Sequence, residues 1–129
     1  IGIAGHSIAE ALPRWTDGFG LKLHSVDEVP TEKVRVAVLM AGSTRIELLE
    51  PTSPDSPIAQ FLHKRGPGIH HLAFQVGDCQ QKLDELRQQG APVLNQVPNR
   101  GAHDCKVGFV HPKHLGGVLA ELVEDPHHD

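Results

Sequence analysis

The strongest constraint on this chain is that it spells one arrangement twice. "IGIAG" from Ile1 aligns with "LAFQV" from Leu72, an offset of 71 residues, and "IELLEP" from Ile46 aligns with "AELVEDP" from Ala120, an offset of 74. Residues 1–50 predict strand, helix and three strands, and residues 69–124 predict the same order. One such βαβββ module cannot bury both faces of a four-stranded sheet, whereas two can close around a shared cleft. The expected fold is therefore α+β. A single domain over residues 1–129 would hold modules 1–50 and 69–124, joined by a linker and short helix over 51–68.

Local signals fill in the modules. Ser7 and Glu10 stand at capping-box spacing, and Ile8, Leu12, Trp15 and Phe19 follow at helical intervals. Pro13 falls inside that run and predicts a kink or a division, with Gly18 and Gly20 ending the helix. "LKLHSVDEV", "KVRVAVLM" and "RIELLE" read as strands. In the linker, Ser56 caps a helix with Pro57 at its first position, carrying Ile58, Phe61 and Leu62 and closed by Gly66. In the second module Asp78 caps a helix with Gln81 as the partner position. Leu83 and Leu86 mark its buried stripe, and Gly90 ends it. "APVL", "KVGFV" and "GVLAELV" read as the three strands that follow.

Charge narrows the partners. The formal net charge is −4 with no basic run, which argues against nucleic acid and anionic membrane surfaces. No apolar stretch approaches the roughly 20 residues of a membrane helix. Cys79 and Cys105 fit neither a metal nor a redox spacing and read as free thiols of a reducing compartment. Ten histidines is a high count, and most, including His127 and His128 in the tail, read as solvated side chains.

Two of those histidines are adjacent at the start of a strand, in "GIHHLAFQV". Alternation sends them to opposite faces. His70 falls in step with Leu72, Phe74 and Val76, a core face, and His71 with Ala73 and Gln75. Glu47 sits between Ile46 and Leu48, and Glu121 between Ala120 and Leu122, so each carboxylate lies on a strand whose alternate face is apolar. If the repeat holds, Glu47, His71 and Glu121 point into one cleft. Imidazole with two carboxylates suits Zn, Mn, Co, Ni or Fe, and three ligands with open positions suit catalysis. The pattern leaves the alternative open: exposed glutamates on edge strands and an ordinary core histidine.

Several segments together resemble the methylmalonyl-CoA epimerases of the vicinal oxygen chelate (glyoxalase-like) superfamily. They are "IGIAG", "VPTEKVRVAVL", "IELLEPTSPDSPIAQFLHKRGPGIHHLAFQV", "RGAHDCKVGFVHPK" and "GGVLAELV". The resemblance implies paired βαβββ modules forming a cupped mixed sheet around one metal site, as in the glyoxalase/bleomycin-resistance/dioxygenase fold. It implies Glu47, His71 and Glu121 as metal ligands, with Glu121 also a catalytic base. It implies a divalent cofactor (Co, Mn, Zn or Ni), methylmalonyl-CoA as substrate, and a homodimer in the cytoplasm, or in the mitochondrial matrix if eukaryotic. The implied activity is interconversion of (R)- and (S)-methylmalonyl-CoA through a metal-stabilised enolate. A fourth ligand of the family, a histidine just before "IGIA", would precede Ile1, and His6 lies past the strand and is no substitute. Several bacterial members carry a glutamate where this chain has Val36, so the second acid/base is not assigned. Arg100 and Lys113, in loops that would rim the cleft, read as CoA contacts or as solvated charges. The rival readings are a glyoxalase-like isomerase or extradiol dioxygenase on the same scaffold, and a metal-free module that binds a small molecule.

Overall fold

The computed structural model describes residues 1–127, in two compact units: Ile1–His70, and a second that begins at His71. His128, read above as solvated, lies outside the described residues. Among the described residues no helix is long and apolar enough to cross a membrane.

The first unit holds β1 (Gly2–Ala4), α1 (Ile8–Pro13), β2 (Lys22–Val29), β3 (Val34–Ala41), β4 (Thr44–Pro51) and α2 (Pro57–Arg65). Its strands lie in the order β2-β3-β4-β1, antiparallel except that β1 runs parallel to β4. The Glu10 N–H donates to Ser7 Oγ (3.2 Å) and starts α1. Pro13, which has no N–H for a further helical bond, ends it, and the chain continues through a wider π-type turn over Arg14–Gly18. Ser56 is fully buried, and its Oγ accepts from the Ile58 N–H (3.2 Å) to start α2. Gly66, with φ +75°, closes α2 in a backbone region that glycine adopts without strain.

Both faces of this sheet are apolar. On one, Ala37, Leu39 and Leu48 pack with Ile8 and Trp15 beneath α1. On the other, Ala4, Val34 and Leu49 pack with Ile58 and Leu62 of α2. This double burial explains the nearly unbroken apolar run of β3, "VRVAVLMA". Leu39 is completely buried, which contributes about 1.5–3 kcal/mol.

The second unit continues β5 (Gly68–Gln75), whose first residues belong to the first unit, and adds α3 (Cys79–Gln88), β6 (Asn99–Arg100), β7 (Lys106–Val110) and β8 (Leu119–Glu124). Its order is β5-β8-β7-β6, with β5 parallel to β8. The Gln81 N–H donates to Asp78 Oδ1 (3.0 Å), and Gly90 at φ +87° follows the end of α3. Cys79 and Leu83 of α3 are fully buried against Leu122. A Cβ on Gly108 would stand 2.9 Å from Leu83 Cδ2, so the missing side chain is what lets α3 close on β7.

The repeat is visible as register. In the first unit Gly2, Ile3 and Ala4 pair with Glu47, Leu48 and Leu49. In the second, Ala73, Phe74 and Gln75 pair with Glu121, Leu122 and Val123. These are the 71- and 74-residue offsets of the sequence, rung for rung.

Two expectations are corrected. "APVL" is not a strand: only Val93 forms an isolated bridge, to Val110, and the third strand of the module is the two-residue β6 at Asn99–Arg100. Pro92 brings no N–H to a ladder, and the Phe109 N–H donates to the Asn95 side chain (2.8 Å) rather than to a strand carbonyl. The second correction concerns Phe74, placed on a core face by alternation. It shares the side of Leu122, yet it is 48% exposed. Helix α3 packs mainly on β7 and β8, so Phe74 on β5 lies beside the helix rather than beneath it.

Candidate metal centre

In the second unit, Ala73 pairs with Glu121, which puts His71 diagonally next to Glu121 on one face of the β5–β8 pair. Leu122, the neighbour of Glu121, points the other way, into the α3 core. His71 Nε2 lies 3.8 Å from Glu121 Oε2, and the side chains are only 9% and 18% exposed. That separation is longer than the ~2.7–3.2 Å of a direct hydrogen bond. It is shorter than the ~4.2 Å that two ligands about 2.1 Å from one ion can span. The pair therefore fits a shared cation.

In the first unit, Glu47 holds the repeat-equivalent place on β4, between Val38 of β3 and Gly2 of β1. Burial pushes its carboxyl above the usual carboxylate range, and the nearby Arg45 charge pulls it back only in part. The side chain is half-buried. A partly desolvated carboxylate suits a cation as a partner.

Neither glutamate lies on an edge of its unit: β4 runs between β3 and β1, and β8 between β5 and β7. The structure brings His71 and Glu121 together and sets Glu47 in the other unit. Among the described residues no group of three or more His, Cys, Asp or Glu side chains is gathered closely enough to define a metal site by itself.

The remaining candidates separate from this pair. His70 faces away and meets Phe61 of α2 edge-on at 5.0 Å, and burial lowers its pKa. Val36 packs with the Ala4, Val34 and Leu49 cluster. Arg100 and Lys113 are exposed. Arg100 lies 3.9 Å from Asp104, and the Lys113 backbone N–H donates to His111 Nδ1 (3.0 Å). A polar hollow of about 340 Å³, lined by Asp78, Arg100, Lys106 and Glu124 among others, opens at the start of α3 and includes neither His71 nor Glu121.

Sequence reasoning missed a second pair of equivalent glutamates. Glu50 Oε1 accepts from the Ile8 N–H at the start of α1 (2.8 Å), and Glu124 Oε1 accepts from the Cys79 N–H at the start of α3 (2.9 Å). Each stands three residues after a candidate ligand, so an odd step turns it to the helix face. The signal was the second glutamate of "IELLE" and "AELVE".

Comparison with known proteins agrees with this architecture. Residues 1–109 match the family described as Glyoxalase/Bleomycin resistance protein/Dioxygenase superfamily. The chain belongs to that superfamily. A Bacillus subtilis protein, YqjC, is 39% identical, covering 96% of this chain and 89% of its own. The ethylmalonyl-CoA/methylmalonyl-CoA epimerase of Cereibacter sphaeroides is 36% identical, covering 95% of this chain and 92% of its own. A methylmalonyl-CoA epimerase solved in complex with methylmalonyl-CoA and NH4+ superposes with a TM-score of 0.91 at 33% identity, covering 98% of this chain and 92% of its own.

Proposed function

We propose that this chain is a divalent-metal-dependent epimerase interconverting (R)- and (S)-methylmalonyl-CoA. Glu47, His71 and Glu121 are the proposed ligands, and Glu121 is also an acid/base. The observation that carries this reading is the buried His71–Glu121 pair at 3.8 Å on the face turned away from α3. The matching register of Glu47 and the epimerases among the relatives support it.

The reaction exchanges a proton at the carbon between a thioester and a carboxylate. That proton is acidic only if the electron pair it leaves can move onto the thioester oxygen. When bound, a divalent ion (Co, Mn, Zn or Ni) supplies Lewis acidity at that oxygen and a counter-charge for the substrate carboxylate. Glu121 takes the proton from one face of the carbon. Its low exposure limits competing water and raises the strength of the interaction. His71, held beside it, fixes the approach of the carboxylate to one side.

The test has two readouts. Adding CoCl2 or MnCl2 raises the Tm of the wild type, and His71→Gln removes that shift while the metal-free protein keeps its circular dichroism. With metal, the protein exchanges the α-proton of methylmalonyl-CoA for solvent deuterium, followed by mass spectrometry. A loaded wild-type protein that leaves both epimers unexchanged overturns the proposal.

A further inference from the structure

His71 and Glu121 stand on a face of the second unit whose polarity changes from one side to the other. Register defines that face. Glu121 of β8 pairs with Ala73 of β5 on one side and with Phe109 of β7 on the other. Directly opposite residues share a face, with Cβ atoms about 4.5–5.5 Å apart. The next rung confirms the side. Leu122 pairs with Gly108, and Leu83 of α3 packs with the one and stands against the other. Glu121 and Phe109 are therefore both turned away from the helix.

On this face β5 contributes the polar His71 and Gln75 around Ala73, and β7 contributes Val107 and Phe109. Leu119 and Val123 flank Glu121 along its own strand and leave its β7 side to the ring. Val107 is already covered: it is buried, and a Cβ on Gly101 would stand 2.9 Å from its Cγ1. Phe109 is half-buried and, among the described residues, packs in none of the apolar core clusters. Its backbone is held from both ends of the peptide. The Phe109 N–H donates to Asn95 Oδ1 (2.8 Å), and its carbonyl accepts from the Leu94 N–H (2.8 Å). A fixed apolar ring thus borders Glu121 opposite the strand that carries His71.

We infer that the Phe109 ring seats the alkyl group on the reacting carbon and limits its length, an inference that rests on the function proposed above. That carbon carries four groups. Its proton goes to Glu121. The thioester and carboxylate oxygens need polar partners and are drawn to the β5 side, where His71 and Gln75 stand. The alkyl group is left for the β7 side, where Phe109 offers apolar surface that the core has not taken up. A methyl group fits against the ring. Each further methylene must displace the ring, which its pinned backbone resists, or turn out into water. The substrate class is then a malonyl thioester with a short alkyl branch.

The test compares methylmalonyl-CoA with n-propylmalonyl-CoA on the cobalt-loaded full chain, by kcat/KM for α-proton exchange and by Kd from calorimetry. The wild type prefers the methyl compound in both measures. In Phe109→Ala that preference falls by at least about 10-fold, the discrimination that one methylene carries in a confined apolar site. Phe109→Leu falls between the two, and it carries the test if the alanine variant loses its circular dichroism. A folded variant that weakens both thioesters equally, with the preference unchanged, overturns the inference and leaves the ring a packing group. So does a wild type that binds the two thioesters alike. A wild type that binds with the expected preference, lost in Phe109→Ala, yet exchanges no proton overturns the proposed function and upholds the seat for the alkyl group, which keeps the two failures distinct.

Discussion

The two units share their inner strands and differ at their peripheries. The inner pair, β1 with β4 and β5 with β8, has the same register, and each pair carries a glutamate on the same rung. Outside it the units diverge. The first has an outer strand of eight residues and a six-residue helix cut short by Pro13. The second has an outer strand of two residues and an unbroken ten-residue helix. The proposed ligands Glu47 and Glu121 therefore sit where the repeat is strict. The helix and the outermost strand need only cover apolar surface, which many lengths can do.

The sharpest break of this comparison is at the equivalent glutamates. Glu121→Gln is expected to lower kcat by about 10²–10⁴-fold, the loss of a positioned proton acceptor. Glu47→Gln is expected to act chiefly on the metal-dependent Tm shift. An equal loss of kcat in both variants, with metal bound, would erase the distinction between a ligand that also moves a proton and one that only holds the ion. The helices come next. Leu83→Ala, at a fully buried position, is expected to cost about 2–5 kcal/mol by urea denaturation. Leu12→Ala on the half-buried side of α1 should cost less. Gly108→Ala is expected to cost about 1–3 kcal/mol through its contact with Leu83. In the Leu83→Ala background most of that cost should vanish, and a strictly additive double mutant would refute the contact as its cause.

Smaller effects follow at the helix starts. Glu124→Gln is expected to cost about 1 kcal/mol, read from the chemical midpoint. Glu50→Gln should cost somewhat more, since Glu50 also receives Arg35. The smallest effect is a pH dependence from His70. Burial lowers its folded-state pKa, so protonation favours the unfolded chain. Its contribution is complete above the ordinary pKa of 6.5 and is lost as the pH falls through the folded value. His70→Phe should flatten the fall in Tm below pH 6.5, and an unchanged slope would assign that fall to other groups.

Much of this was legible in the residues. Ser7, Ser56 and Asp78 announced three helix starts because a short side chain can satisfy a free backbone N–H, a purely local matter. Alternation separated His70 from His71, and the offsets of 71 and 74 foretold which rungs pair. The failures are non-local. Phe74 is apolar at a core-phase position, but where a helix lies along a sheet is set by packing, not by period. "APVL" has strand composition, but the Asn95 side chain occupies the ladder position, which no propensity encodes. The roles of Glu50 and Glu124 depend on strand ends meeting helix ends.

The step from 47 to 50, and from 121 to 124, has a mechanical consequence. Each strand presents a carboxylate to one side and, three residues later, grips the first turn of a helix on the other. The grip pins the strand's far end, so any slack in the helix becomes play in the opposite-facing carboxylate. Weakening either anchor should thus blunt the proposed cation affinity from the back of the sheet.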